Sequence, residues 1–392
     1  MKGNPTFLSL FCGCGGMDLG FEQAGFRGIG AFDIDPSAIA VHAHNLPGPS
    51  EICDLNLNSP QCPRPSVVIA GPPCQGFSTL GKRNVRDPRN SLLVIAARHA
   101  IRIHPTAIVL ENVIGAISGK HADYWSTAEG IISGAGYRIS THRVVSSDFG
   151  VPQIRRRILM IAWRSKAKEP SLMGTAHGLT LRTALQNVQN LPNHEPKYLR
   201  EGSADHSIAS RIGPHQKLCN VRGGDRAVPT WEIPEVFGRT NSQERKVLVA
   251  IQKLRRRLRH RDHGDADPLS ISDVSAHVGW DVSEEIRKLT NKGYLRRFGL
   301  RFDLAHSFNG KFRRLDWEQV APAVDTRFGE PRYYLHPDEN RGLSVREAAR
   351  IQGFPDDFVF SGPRAAQFRM VGNAVPPPLA QNVAVMVRDQ LL

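Results

Sequence analysis

The chain has 392 residues, with 51 Lys and Arg against 37 Asp and Glu, a formal net charge of +14. Its hydrophobic fraction of 40% and charged fraction of 22% exclude a disordered or fibrous chain, and the length suits two domains. No apolar run approaches the roughly 18–20 residues of a membrane span, the opening stretch is too short and glycine-rich for a secretory signal, and the excess charge asks for a polyanionic partner, nucleic acid first.

In chain order, residues 6–11 read as a strand that ends at glycines, and 28–32 and 66–70 as two more. Residues 90–103 carry apolar residues at helical spacing, 106–110 read as another strand, and 157–163 as a later one. The strand runs are continuously apolar, as parallel strands buried on both faces are. Strand–helix alternation predicts a doubly wound α/β domain that binds its ligand beyond the carboxyl ends of the strands. From about 175 to 340 the pattern changes, and Pro, Gly, Asn and His become common. Residues 239–301 hold 15 Lys and Arg against 8 Asp and Glu, half of the chain's excess. A short helix from Ser270 broken by Gly279, a helix opened by a capping box at residues 281–284, and a hairpin turning at Asn309-Gly310 predict a winged-helix-like element. The last fifty residues resume the strand–helix character of the start. They hold an amphipathic helix over 344–353, a Gly-Asn turn within 368–378, and a helix over 379–392 after three prolines. The expected organisation is a catalytic domain of residues 1–175 and 366–392, interrupted by a smaller, basic inserted domain, 176–365.

Six cysteines without framework spacing point to a reducing compartment. Cys12 and Cys14 lack a second pair at zinc-ligand distance, so small residues in a tight loop are expected and no metal. The turn Phe11-Cys12-Gly13-Cys14-Gly15-Gly16 lets backbone approach a ligand closely. It lacks the spacing of dinucleotide binders, and no phosphate-cradling loop follows. An acid after the second strand, Asp33, can accept from a ribose. Gly71-Pro72-Pro73-Cys74 presents a thiol from a rigid turn at a strand end. Glu111 places a carboxyl group at the next strand end, and Arg155 and Arg157, two apart on a strand, share a face. A nucleophile, an acid and two arginines around one crevice make a reaction centre.

The ordered set FCGCGG, DID, GPPCQGFS, DPRNSLL, ENV, QIRRR, RGLSVREAARIQGFPDDF and GNAVPP resembles the DNA cytosine-5 methyltransferase family over residues 7–165 and 341–392. The resemblance implies an S-adenosylmethionine-dependent, Rossmann-like methyltransferase fold, with target recognition in the insert. It implies that Cys74 adds to C6 of cytosine, making C5 an enamine carbon able to attack a methyl sulfonium. Glu111, kept protonated by burial, would donate to N3, while Arg155 and Arg157 hold the ring carbonyl and the catalytic side chains. It carries cofactor contacts to Phe11, Gly13, Gly15, Gly16, Asp33, Asp54, Pro73 and Asn373. Asp33 stands where many relatives have Glu, so Asp35 is a second candidate for the ribose. A stacked base cannot reach such a pocket, so base flipping is required. Ser78 and the basic stretch after Cys74, with Lys82 and Arg83, are the expected DNA contacts, together with Arg255, Arg256, Arg257, Arg296 and Arg297 of the insert. The implied setting is a bacterial, cytoplasmic, monomeric restriction-modification enzyme acting on duplex DNA without a membrane, alongside a restriction endonuclease for the same site. The alternative is an RNA (tRNA) cytosine-5 methyltransferase. A DNA-binding protein that has lost catalysis is disfavoured by the intact Cys74, Glu111 and Arg157, and a nicotinamide-dependent oxidoreductase by the glycine spacing.

Overall fold

The computed structural model describes residues 3–73, 88–174, 179–221, 223–261, 266–305 and 309–392. Its first element is strand β1 (Thr6–Leu10), followed by helix α1 (Gly16–Gln23), β2 (Arg27–Asp33), α2 (Pro36–Asn45) and β3 (Ser50–Ile52). Strand β4 (Val67–Ala70), α3 (Leu92–Ile103), β5 (Ala107–Val113), α4 (Ala122–Gly134), β6 (Arg138–Val145) and β7 (Arg156–Trp163) continue it. The seven strands form one sheet in the order β3-β2-β1-β4-β5-β7-β6. Neighbours from β3 to β5 are parallel, whereas β7 runs antiparallel to β5 and to β6. Both faces are covered, which is why the runs are continuously apolar. Phe7, Val67, Ile69 and Val109 pack toward α1, while Leu8, Val68, Ile108 and Leu110 pack toward α3 and α4. The strand order reverses between β1 and β4, so a crevice opens beyond their carboxyl ends. The glycine turn and the Pro72-Pro73 turn both start there.

The chain divides into two compact units: residues 1–195, 318–326 and 344–392 form one, and 196–317 with 327–343 the other. In the second unit, α5 (Ser242–Arg257) is opened by a capping box between Asn241 and Glu244. Strand β8 (Leu269–Ser270) leads into α6 (Ile271–Val278), α7 (Ser283–Asn291), β9 (Leu295–Phe298) and β10 (Arg301–Leu304). These strands form a three-stranded sheet with β10 in the middle, and the helices pack on it through Leu248, Ile251, Val274, Ile286 and Leu289. Gly279 closes α6 in the left-handed conformation, as its sequence position predicts. Two details differ from expectation. The hairpin turns at Gly299-Leu300, because Asn309–Lys311 pairs instead with Lys217–Cys219, and Gly310, at φ 91°, absorbs an irregularity in that register. Asp281 caps no third residue; it accepts from the backbone and hydroxyl of Ser283 instead.

The chain then returns to the first unit through α8 (Val345–Gln352), α9 (Arg364–Asn373) and α10 (Pro377–Leu391). Ser344 and Glu347 form the capping box of α8, and Gly353 ends it. Gly372 and Asn373 lie inside α9 rather than in a turn. A Cβ on Gly372 would sit 2.8 Å from the carbonyl carbon of Asp325, so its bare Cα is needed for packing within the helix. Helix α10 lies against α1, where a Cβ on Gly16 would come 2.5 Å from the Val375 carbonyl oxygen and one on Gly20 2.5 Å from that of Pro377. Arg346 is fully buried and donates to the carbonyls of Pro192, Pro355 and Phe358, which makes it a scaffold residue.

Candidate active site

The crevice of the first unit gathers most of the candidate residues that the structure describes. The chain leaves β1 at Phe11 with φ 54° and turns through Gly13 and Gly15, also at positive φ. The three expected glycines do different work. A Cβ on Gly13 would meet nothing within 4 Å, so this residue leaves room for a ligand. A Cβ on Gly15 would run into Leu46 and His42, and Gly16 abuts Val375 as described, so these two permit packing. Beneath the turn, buried Asp18 accepts from Ser9 at 2.9 Å and pairs with His42 Nε2 at 3.0 Å.

Asp33, at the end of β2, accepts the Gly13 N–H at Oδ2 and the Asp35 N–H at Oδ1, each at 2.9 Å. Burial raises its pKa against those two backbone bonds. Each carboxylate oxygen still has acceptor capacity, which two ribose hydroxyls can use. Asp35 is committed elsewhere: it caps α2 through Ser37 and pairs with Arg369 at 2.9 Å. Ile34, between the two acids, is 62% exposed and offers an apolar wall beside Asp33. Sequence reading missed it, although an apolar residue between two acids at a strand end was the available signal. Asp54, half-buried, accepts at Oδ1 from the backbone of Asn56. Pro73 follows β4, and Asn373 is exposed at the end of α9. The room at Gly13, the carboxylate of Asp33 and the exposed Ile34 fit an adenosyl group with a ribose.

Cys12 and Cys14 are buried free thiols. Burial pushes Cys14 up to about 12 and raises Cys12 well above the ordinary thiol range, so both are inert packing groups. Among the described residues no cluster of His, Cys, Asp and Glu could hold a metal. Cys74, Ser78, Lys82 and Arg83 lie outside the described residues.

Glu111 lies within β5 and is 8% exposed. In the antiparallel ladder Arg157 stands opposite Val113, so it reaches Glu111 along the diagonal of the same face. Arg157 Nε and Glu111 Oε1 are 2.6 Å apart, so the environment of the carboxyl group is burial plus a guanidinium, rather than burial alone. The neighbouring Asn112 sends its amide to the Pro72 carbonyl at 3.4 Å, linking β5 to the turn two residues before Cys74. Arg155 is 3% exposed and has other partners: it donates to the carbonyls of Val324 and Gly372, both at 3.0 Å. In the second unit Arg255 is buried, its guanidinium bonded twice to Asp303 at 2.7 and 2.8 Å. Arg256, Arg257, Arg296 and Arg297 are exposed.

The family model of the C-5 cytosine-specific DNA methylases matches residues 5–388. The chain is 29% identical to the type II methyltransferase M.XorII of Xanthomonas oryzae pv. oryzae, over 99% of this chain and 85% of that one. It is also 29% identical to M.AgeI of Thalassovita gelatinovora, over 97% and 98%. Among solved structures, the Entamoeba histolytica methyltransferase EhMeth superposes with a TM-score of 0.57 at 14% identity, with 99% of both chains covered. That likeness concerns the fold. Matched over nearly its whole length, the chain belongs to the C-5 cytosine-specific DNA methylases, which transfer a methyl group from S-adenosylmethionine to DNA.

Proposed function

We propose that this enzyme methylates C5 of a cytosine flipped out of a specific duplex sequence, as the modification partner of a restriction endonuclease in a bacterial cytoplasm. The observation that carries the reading is the buried Glu111–Arg157 pair on β5 and β7, in the same unit as the open Gly13 and the Asp33 carboxylate. Type II methyltransferase is the description that M.XorII and M.AgeI carry, which supports the restriction-modification setting.

In this reading S-adenosylmethionine, when bound, supplies an electrophilic methyl group. Asp33 would accept the ribose hydroxyls and Ile34 would flank the adenine, with Phe11, Gly13, Asp54, Pro73 and Asn373 completing that side, while Gly15 and Gly16 hold the turn against its packing. Cys74 adds as thiolate to C6 of the flipped ring. Glu111 engages N3 and the exocyclic amine, so the negative charge developing on the ring meets a hydrogen bond. Arg157 fixes the Glu111 carboxyl group and faces the ring carbonyl. Arg155 is a positioning residue that holds the 318–326 and α9 segments. Once C5, made an enamine carbon by that addition, has taken the methyl group that the cofactor would supply, loss of the C5 proton to solvent lets Cys74 leave by elimination, which returns the free thiol.

The recognition role falls to the second unit, residues 196–317 and 327–343, which makes up most of the insert expected at 176–365. Three helices (α5, α6, α7) on a three-stranded sheet with a β9–β10 hairpin support the winged-helix reading. Arg256, Arg257, Arg296 and Arg297 serve as DNA contacts, as do Ser78, Lys82 and Arg83 beside the nucleophile. Arg255 braces the hairpin through Asp303. Transfer of a labelled methyl group to duplex DNA and to transfer RNA in parallel tests the substrate. Label in DNA is expected, and label in RNA alone overturns the reading. Cys74→Ala should abolish transfer and keep DNA binding, and turnover at the wild-type rate would remove Cys74 as the nucleophile.

A further inference from the structure

The β9–β10 hairpin carries a feature that phosphate binding does not require. Its tip exposes two large apolar side chains, Leu300 at 82% and Phe298 at 53%. The flanking positions are Arg296, Arg297 and Arg301, all exposed. Strands β9 and β10 pair from Leu295↔Leu304 to Phe298↔Arg301, and Gly299 turns the chain at φ 63°. Strand β8 pairs with the other edge of β10 as far as Arg301, so only the Gly299-Leu300 turn and the adjoining Phe298 project from the sheet. The hairpin is also held firmly. Asp303, in β10, takes the two bonds from buried Arg255, Arg301 donates to the Pro268 carbonyl at 3.1 Å, and Leu295 and Leu304 sit in the core of the unit. Arg297 Nε reaches the carbonyl of Gly299 at 2.7 Å, so one guanidinium lies along the turn beside the apolar tip.

Large apolar side chains kept in water at the tip of a firmly held hairpin call for a partner surface. Three arginines around them select a polyanion, and a tip only one turn wide at the edge of the sheet suits a groove. The duplex minor groove combines phosphate walls with stacked apolar bases, into which an apolar wedge can press.

We propose that the β9–β10 hairpin enters the minor groove of the duplex, with Leu300 and Phe298 pressed against a base step and Arg296, Arg297 and Arg301 on the flanking phosphates and the groove floor. This rests on the duplex-DNA reading above and adds a second element of specificity, because wedge insertion favours steps that unstack easily and a groove without the guanine 2-amino group.

The test uses the full-length enzyme, the double variant F298A/L300A, and duplexes carrying the methylation site. Four readings are taken: methylation rate, affinity against salt, DNA bending from site-permuted fragments, and affinity after inosine replaces guanine in the flanks. Inosine keeps the major-groove atoms and removes the minor-groove amino group. The wild type should bend the duplex and respond to inosine. The double variant should bind roughly a hundred-fold more weakly, the order expected for withdrawing two large apolar side chains at about ten-fold each. It should keep the salt slope of the wild type and lose both the bend and the inosine response. A double variant that bends, binds and responds to inosine as the wild type does overturns the wedge. So does a wild type indifferent to inosine, or an apolar tip whose loss changes only the oligomeric state in sedimentation. A wild type that does not methylate duplex DNA at all defeats the duplex reading itself, which separates the two failures.

Discussion

Arg155→Ala separates bracing from ring contact within the pair of arginines. The guanidinium is 3% exposed and donates at 3.0 Å to two carbonyls, Val324 in the 318–326 segment and Gly372 in α9. A hydrogen bond to a charged group contributes about 1.5–3 kcal/mol, so the two together are worth about 3–6 kcal/mol. The freed carbonyls can recover some of this through water entering the space, so a loss near the lower end, about 3 kcal/mol, is expected. For a unit of this size that corresponds to a fall in Tm of roughly 6–12 °C. The damage should be local as well, because Asn373 directly follows Gly372. Thermal unfolding with and without S-adenosylmethionine, together with KM for the cofactor and for DNA, reads both effects. The cofactor KM should rise more than the DNA KM, and Arg155→Lys should recover little, since a point charge cannot span both carbonyls. A variant with unchanged Tm and cofactor KM but a collapsed kcat would refute the argument and place Arg155 on the reacting ring.

The glycines give a second expectation: Gly13→Ala should fold and weaken cofactor binding, while Gly16→Ala and Gly20→Ala, whose Cβ atoms meet backbone 2.5 Å away, should accumulate poorly, as soluble yield and Tm report. Stability should also depend on pH through the groups beneath the turn. Burial and the charge of Asp18 raise Glu22 to about 7; burial draws His42 down, but the bond and charge of Asp18, with Glu22 and Asp33, leave it raised overall. A group whose pKa is raised by folding binds more protons in the folded state, so its stabilisation is complete below the unfolded value and lost as pH climbs through the folded one. Stability should therefore fall between about pH 4.5 and 7 through Glu22, with His42 adding to the fall above 6.5; chemical denaturation of Glu22→Gln should show a flatter profile, and an unchanged slope would exclude Glu22. In the insert, Arg256→Ala with Arg257→Ala should weaken binding to all duplexes alike and reduce the salt slope by about 0.9 for each phosphate no longer neutralised. Arg255→Ala should instead lower the Tm, since it strands Asp303, which is half-buried.

Much of the first unit was legible because its signals are local. A continuous apolar run bounded by turn residues is a strand buried on both faces, and β1, β2, β4 and β5 were found that way. The same signal hides direction: β7 is as apolar as its neighbours, and only the connection through β6 makes it antiparallel. Capping chemistry is equally local, so Gly279 reads correctly as the stop of α6, but the capping box expected at 281–284 does not form because Asp281 accepts from Ser283 instead. The packing role of Gly16 and Gly20 was not legible, because the atoms that demand their bare Cα belong to Val375 and Pro377, more than 350 residues away. Arg255 failed for the same reason. Within KLRRRLRHR it looks like its neighbours, and only helix phase and the distant Asp303 draw it inward. Asn309-Gly310 carries the strongest hairpin signal in the insert, yet Lys217–Cys219 claims it as a strand.

The motif Gln153-Ile154-Arg155-Arg156-Arg157 shows how one stretch can serve both scaffold and chemistry. Alternate residues of an extended segment face the same way, so Gln153, Arg155 and Arg157 point together. Gln153 donates to the carbonyl of Ile351 and to the side chain of Gln352, and its own oxygen accepts from the backbone of Val324. Arg155 takes the carbonyls of Val324 and Gly372, and only Arg157 reaches the reaction-centre carboxyl group on β5. The chain enters the first unit at 318–326, leaves it, and returns at 344, so Gln153 and Arg155 tie two separate returns to the stretch just before β7, while Arg157 serves β5. Val324 is gripped at both its N–H and its C=O, which makes the 318–326 segment part of the catalytic unit even though the second unit flanks it in sequence. Gln153→Ala should therefore behave like Arg155→Ala, with lower Tm and higher cofactor KM. The double variant should lose less than the sum of the two, because both singles release the same segment. Strict additivity in that cycle would mean that the two side chains act on independent parts of the fold, and the shared-brace account would fail.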